Sequence, residues 1–116
     1  MEKSSSSVRV FYPSCSLEDV VKELKRVSSP LSKRLGLKRI VVFGSYAKNR
    51  RTVASDVDVL VVYDGLKSSE DDVYKTLRKS VKLPRVELHI LSKEDYELMK
   101  DSKWITEIES EGVKIL

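Results

Sequence analysis

Hydrophobic and polar residues follow two different periods along this chain, which separates predicted helices from predicted strands. Apolar residues three or four positions apart indicate amphipathic helices, and short runs of β-branched residues indicate buried strands. The helical period starts after Ser16, where Asp19 completes a capping pattern, and it continues to Val27. We expect Pro30 to end or kink this helix and a second helical piece to precede Gly36.

Three apolar runs predict the strands of one sheet. They cover residues 38–43, 57–63 and 85–91. A short alternation at residues 8–12 is a weaker candidate for an edge strand or an extended lead-in, and residues 113–116 are a further candidate edge strand.

Helices are expected between and after the later strands. Ser68 or Ser69 caps one helix, which Pro84 ends. Ser92 opens another helical region, and a short helical stretch follows at residues 104–108. This order of elements predicts a small mixed β-sheet flanked by helices, an α/β (α+β) fold in which ligands tend to bind at the strand ends.

Composition limits the class of protein. A chain of 116 residues that is 41% hydrophobic can form one core, so we expect a flexible start at residues 1–7 and a single domain over residues 8–116. The single cysteine, Cys15, excludes a disulfide within the chain, and every apolar run is far shorter than the roughly 20 residues of a membrane helix. We therefore expect a cytoplasmic protein without membrane association. The net charge of +4 is spread along the chain and permits a nucleotide or nucleic-acid partner without requiring one.

The candidate chemistry lies between the first two long strands. Residues two apart in a strand share a face, so Asp56 and Asp58 are expected to project together. Adjacent carboxylates favour a bridging cation, and oxygen ligands suit Mg²⁺ together with substrate phosphates, although an isolated Asp-x-Asp is more often a solvated strand end. Gly44 and Ser45 favour the metal site, because glycine admits a close ligand and a helix beginning at Ser45 would point N–H groups at phosphate.

This motif resembles that of the minimal nucleotidyltransferases of the DNA polymerase β-like superfamily. Their pattern is Gly-Ser-x-Ala-x-Gly, several residues, then Ser-Asp-x-Asp before an apolar strand. Six residues match it: Gly44, Ser45, Ala47, Ser55, Asp56 and Asp58. Asn49 replaces the second glycine, and asparagine tolerates a left-handed backbone only at some cost. The resemblance extends over nearly the whole chain, but only the central motif is specific.

The resemblance implies transfer of a nucleoside monophosphate, expected to be AMP from ATP, to a hydroxyl group. The nucleotide-binding residues that it implies are Gly44, Ser45, Lys48 and Ser55. The catalytic residues, which would also bind two Mg²⁺ ions, are Asp56, Asp58 and Glu87. Glu87 is the best match to the third acidic residue of the family, which is commonly aspartate.

The sequence leaves several alternatives open. Glu87 completes the site only if its strand face matches that of the aspartates, which depends on the strand register; otherwise it is a surface glutamate. Lys48, Arg50 and Arg51 form a basic loop that either neutralises a triphosphate or is simply solvated. The lone His89 is left out of the predicted site, because a histidine beside an oxygen-ligand site is more often a packing residue.

The acceptor is also inferred by resemblance. Members of this type often resemble antitoxins paired with small helical HEPN proteins that are nucleotidylated on tyrosine, which implies AMP transfer to such a partner. The alternative is a degenerate domain that binds nucleotide or masks a helical protein; Asn49 and Glu87 favour it, and the intact aspartates oppose it. Transfer to a small molecule ranks lowest, because the drug-modifying relatives carry an additional acceptor-binding domain. Direct nucleic-acid binding and a homo-oligomer remain open.

Overall fold

The computed structural model describes residues 16–44, 47, 56–83 and 85–116. The helices in these residues are α1 (Leu17–Leu35), α2 (Glu70–Ser80), α3 (Lys93–Met99) and α4 (Lys103–Glu111). The strands are β1 (Leu37–Phe43), β2 (Val57–Tyr63), β3 (Val86–Ser92) and β4 (Val113–Lys114). The ends of β1 and β3 differ from prediction by one residue, and α4 is longer than predicted. The weak strand candidate at residues 8–12 lies outside the described residues.

The described strands form one mixed sheet in the order β3-β2-β1-β4. β1 is antiparallel to β2 and to β4, whereas β2 and β3 are parallel and are connected through α2. Beyond β4, the backbone N–H of Ile115 donates to the carbonyl of Ile40 at 2.7 Å. The predicted mixed sheet flanked by helices is confirmed, and the C-terminal residues form the predicted edge strand.

Helices cover both faces of the sheet, because successive side chains of a strand point to opposite sides. The core between the sheet and helices α1 and α2 includes Val20, Leu24, Val42, Val59, Val61, Val73 and Leu77. The core on the α4 side contains Val41, Leu60, Val62, Ile105 and Ile108. Each fully buried aliphatic side chain stabilises the fold by about 1.5–3 kcal/mol. Since Val57 and Val59 belong to the first core, Asp58 between them faces the α4 side.

Helix α1 is a single helix. Of the two expectations for Pro30, an end or a kink, the end is therefore wrong, and so is the separate second helical piece. An internal proline removes one helical hydrogen bond and costs about 3 kcal/mol. Pro30 is exposed, and water can therefore bond the carbonyl that loses its partner. Buried Val27 and Leu35 lie on either side of the proline along the chain, and their packing holds both halves of the helix on the sheet.

A polar contact attaches α4 to the rest of the molecule. The guanidinium of Arg39 in β1 donates two hydrogen bonds to the Glu109 carboxylate, one of them at 2.6 Å from Nε. The Tyr96 hydroxyl of α3 donates to the same carboxylate at 2.7 Å. The hydrogen bonds from Arg39 and Tyr96 hold the pKa of Glu109 below its ordinary value despite partial burial. This contact orients α4, which carries Trp104 beside the site described next.

Candidate functional site

The first component of the site is the turn that follows β1. Gly44 has φ of 79°, in the left-handed region that favours glycine. Its neighbour Phe43 pairs with Asp58 in the antiparallel register of β1 and β2. A Cβ atom added to Gly44 would lie only 2.5 Å from Oδ2 of Asp58. The backbone therefore approaches this carboxylate more closely than any other residue type would allow.

The register of β2 and β3 answers the question that the sequence left open for Glu87. Asp58 and Glu87 are direct partners in the parallel pair, so their side chains share one face of the sheet. His89 follows two residues after Glu87 and lies on that face as well. Ligand atoms of Asp58, Glu87 and His89 all lie within 4.8 Å of one another. We call these three side chains the β2–β3 cluster.

Asp56 lies outside this cluster. β2 begins at Val57, so the strand alternation that predicts a shared face for Asp56 and Asp58 does not extend to Asp56. The Asp56 carboxylate instead accepts a hydrogen bond from Nε of Arg85 at 3.3 Å, and both side chains are about half exposed. Exposed ion pairs of this kind contribute about 0–1 kcal/mol. Asp56 can therefore exchange Arg85 for a cation at little cost.

The electrostatics of the β2–β3 cluster favour a bound cation. Partial burial raises the pKa of Asp58; nearby His89 opposes this shift, and Glu87 adds to it. The charged form of Asp58 is thus less favourable in the metal-free protein than in water. Two carboxylates and one imidazole are common ligands of divalent metals, and a cation would offset the cost of holding Asp58 ionised. The donor set therefore fits a divalent cation.

Aromatic rings surround the imidazole of the cluster. The His89 ring centroid lies 5.2 Å from that of Phe43 in a tilted geometry and 5.9 Å from that of Trp104 in an edge-to-face geometry. A cavity of about 210 Å³ adjoins these rings, and its lining includes Phe43, Gly44, Ala47 and Trp104. The ring contacts restrict the rotation of the His89 imidazole. The cavity provides space next to the Gly44 turn. The sequence analysis left His89 out of the predicted site; the structure places it beside Asp58 and Glu87, and its position two residues after Glu87 was the signal for this proximity.

Three of the predicted nucleotide-binding residues, Ser45, Lys48 and Ser55, lie outside the described residues. The same holds for Asn49, Arg50 and Arg51, on which the open questions about the basic loop depend. Their roles stay predictions. Of the predicted site residues, the structure therefore places Gly44, Asp58 and Glu87 together, and Asp56 immediately before β2.

Replacing Gly44 by alanine is expected to lower the affinity for Mg²⁺ by about tenfold or more, because the new methyl group displaces the Asp58 carboxylate. Calorimetric titration of Mg²⁺ into both proteins measures the change. Gly36→Ala is the matched control: Gly36 also has positive φ, 69°, but it lies at the other end of β1. That control should lose stability from backbone strain and retain Mg²⁺ affinity; equal affinities for all three proteins would contradict the prediction.

Fold and site together define a small α/β domain with carboxylates side by side on the central strand β2 and the edge strand β3. Residues 21–114 match the family model of the nucleotidyltransferase domain, so the chain belongs to that family. The resemblance predicted from the Gly-Ser and Asp-x-Asp motifs is confirmed.

Two relatives from Methanocaldococcus jannaschii, each named "putative protein adenylyltransferase", agree with this assignment. One is 41% identical over 51 residues, which cover 44% of this chain and 55% of the relative. The other is 36% identical over 47 residues, covering 40% of this chain and 48% of the relative. The chain thus spans about half the length of the curated relatives it matches.

The fold has a solved counterpart. A crystal structure of a "putative nucleotidyltransferase" from Sulfolobus solfataricus aligns with a TM-score of 0.56 and 19% identity, over 84% of this chain and 80% of that one. At this identity, the likeness shows the shared fold alone. Among the described helices, none has the length and apolar character needed to cross a membrane.

Proposed function

We propose that this chain is a nucleotidyltransferase that transfers AMP from ATP to a hydroxyl group on a protein, with divalent metal bound at Asp58 and Glu87. The observation that carries the proposal is the direct pairing of these two residues on one face of the sheet. Membership of the nucleotidyltransferase family supports the reaction type. The names of the Methanocaldococcus relatives support AMP as the transferred group and a protein as the acceptor.

In this proposal, Asp56, Asp58 and Glu87 hold the metal, which is expected to be Mg²⁺ in two positions. When bound, Mg²⁺ neutralises the charge of the triphosphate and favours the ionised form of an attacking hydroxyl. Asp58 has 25% of its side chain exposed and lies at the floor of the site, whereas Glu87 has 60% exposed. Glu87 is therefore the residue placed to reach an acceptor and take its proton.

The chemical step follows from these positions. The acceptor oxygen forms a bond to the α-phosphorus of ATP, the bond to pyrophosphate breaks, and the hydroxyl proton passes to Glu87. The backbone at Gly44 leaves room for phosphate next to Asp58, and Ser45, Lys48 and Ser55 are the proposed triphosphate contacts. Catalysis then comes mainly from positioning and from charge neutralisation in the transition state.

The proposed acceptor is a tyrosine hydroxyl of a small helical partner of the HEPN type. This part of the proposal rests on the resemblance to antitoxins that modify such proteins. An acceptor supplied by a partner also agrees with the large exposed fraction of Glu87.

A second candidate function is nucleotide binding or masking of a partner without catalysis. The ion pair between Asp56 and Arg85 favours it, because it engages one of the predicted metal ligands in the metal-free protein. The weakness of an exposed pair is the counterargument, since a cation can displace Arg85.

The test compares ATP labelled at the α-phosphate with ATP labelled at the γ-phosphate, each incubated with Mg²⁺, this protein and any co-purifying helical protein. AMP transfer predicts protein-bound label from the α-position alone. Glu87→Gln should reduce the rate about 10²-fold or more, because it removes the proton acceptor. Glu97→Gln, an equivalent change on the exposed surface of α3, should leave the rate unchanged. Mg²⁺-dependent ATP binding without transfer would favour the non-catalytic candidate.

A further inference from the structure

We propose that His89 is a metal ligand, and that with Asp58 and Glu87 it forms a nitrogen- and oxygen-donor site that selects a transition-metal ion such as Zn²⁺ over Mg²⁺. The inference rests on the proposed function in one respect: Asp58 and Glu87 are metal ligands in both proposals. Of the two metal positions expected there, the one that touches His89 would hold the transition metal, and the other would hold the Mg²⁺ that accompanies the triphosphate.

The first argument is the position of the imidazole nitrogen. Nε2 of His89 lies 3.5 Å from Oδ1 of Asp58 and 3.8 Å from Oε1 of Glu87. Both distances exceed the 2.7–3.2 Å typical of an N–H···O hydrogen bond. Two ligands that each lie about 2.1 Å from one ion at a tetrahedral angle are about 3.4 Å apart. The spacing therefore suits a shared ion better than direct hydrogen bonds.

The second argument is that this nitrogen makes no hydrogen bond. Nε2 of His89 is buried and makes no hydrogen bond to any described residue. A buried polar atom left unpaired costs about 1–3 kcal/mol, and such atoms in folded proteins call for an explanation. A metal ion between the nitrogen and the two carboxylates would satisfy the imidazole and both acids together.

The third argument is that the ring is already held in place. Phe43 and Trp104 both pack against the imidazole, and Trp104 lies on α4, which the Arg39–Glu109 contact attaches to β1. β3 determines the backbone position of His89 through its pairing with β2, opposite Leu60. A ligand whose rotamer is restricted before the metal arrives loses less entropy on binding.

Donor chemistry determines the choice of ion. Mg²⁺ prefers oxygen ligands in an octahedral arrangement and gains little from imidazole. Zn²⁺ and neighbouring transition ions bind imidazole nitrogen strongly and accept carboxylates with it. A site of two carboxylates and one imidazole should therefore bind Zn²⁺ more tightly than Mg²⁺, and the difference should depend on His89.

Nuclear magnetic resonance on tag-free protein labelled with ¹⁵N-histidine tests this inference. The chain contains a single histidine, so the imidazole signals come from His89 alone, and direct ligation of an ion by Nε2 shifts that resonance most. We expect one equivalent of Zn²⁺ to shift the Nε2 resonance strongly through direct ligation, and excess Mg²⁺ to shift it much less. An Nε2 resonance that does not respond to Zn²⁺ would overturn the inference.

Calorimetry provides the matched measurement. His89→Phe keeps an aromatic ring against Phe43 and Trp104, and it should lower Zn²⁺ affinity about 10–100-fold while Mg²⁺ affinity stays within about twofold. If that variant does not fold, His89→Asn replaces it. Equal Zn²⁺ affinity for wild type and variant would overturn the inference.

Assays of AMP transfer with Mg²⁺ on the same samples separate the two proposals. Transfer without a Zn²⁺ response at His89 overturns the inference and leaves the proposed function standing. A Zn²⁺ response without transfer supports the metal site and counts against the function.

Discussion

Replacing Asp58 with asparagine is expected to abolish nucleotidyl transfer and to make the metal-free protein more stable at neutral pH. Loss of a ligand that anchors the metal should reduce transfer about 10³-fold or more. The gain in stability arises because burial and Glu87 raise the pKa of Asp58, which makes its charged form unfavourable in the folded protein. Asparagine carries no charge, so we expect Tm to increase.

The pH dependence of this effect has a definite sign. The pKa of Asp58 is raised on folding, so the folded protein binds a proton more readily than the unfolded chain. The stability contributed by this group is fully present below its ordinary pKa and is lost as pH rises through the raised value. The stability advantage of Asp58→Asn should therefore be absent in acid, grow through this interval and stay constant above it. Mg²⁺ should stabilise the wild type and have a much smaller effect on the variant.

Thermal melting across pH, with and without Mg²⁺, measures these effects. Asp71→Asn is the matched control, because Asp71 is an exposed aspartate on α2 whose 3.0 Å ion pair with Lys75 contributes little. That control should keep activity and show no stability gain. If Asp58→Asn lowers stability at neutral pH, the charged form of Asp58 is not unfavourable in the folded protein. If the variant transfers AMP at the wild-type rate, Asp58 is not a required metal ligand.

The second large effect is expected from Gly112→Ala, which should destabilise the fold by about 3 kcal/mol. Gly112 caps α4 with φ of −79°, a backbone conformation that alanine also adopts, so the effect is purely steric. The added Cβ would lie 2.4 Å from Cγ1 of Val41, 2.5 Å from the carbonyl oxygen of Ile108 and 2.9 Å from that of Val42. Val41 is fully buried and two of these atoms are backbone, so neither side can move away easily.

Urea unfolding measures this loss against a total stability of about 5–15 kcal/mol for a typical domain. Gly65→Ala is the matched control, since the atom nearest to its new Cβ, in Glu94, would be 3.9 Å away. The control should differ little from wild type. Similar unfolding free energies for Gly112→Ala and Gly65→Ala would show that α4 can shift to accept the methyl group.

Local signals in the sequence predicted most of the fold. The cap at Ser16 appears in the structure with both of its hydrogen bonds, and Ser69 and Ser92 cap α2 and α3. The three long strands lie within one residue of their predicted positions. These features depend on neighbours along the chain, which a sequence displays directly. Pro30 was the exception, because tertiary packing of α1 on both sides of it outweighs the local cost.

The site was harder to predict because it depends on contacts between distant residues. The motif identified Asp58 and Gly44, but the partnership of Asp58 with Glu87 follows from the β2–β3 register, which no local pattern specifies. Strand alternation does not apply to Asp56, because β2 begins at Val57, as predicted, and Asp56 precedes it. The sequence alone favoured a packing role for His89, and only the register showed that its nitrogen lies within 4.8 Å of ligand atoms of both carboxylates.

The parallel pairing of β2 and β3 also bears on how long the folded chain survives. Asp58 lies on one strand and the other two cluster residues lie on its partner, so a cation bound to all three is released whenever β3 detaches from β2. A bound ion would therefore suppress this partial opening, and more strongly as the free ion concentration rises above its Kd. Proteases cleave chains mostly from such opened states. Depletion of the metal would then shorten the lifetime of the protein as well as abolish its transfer activity.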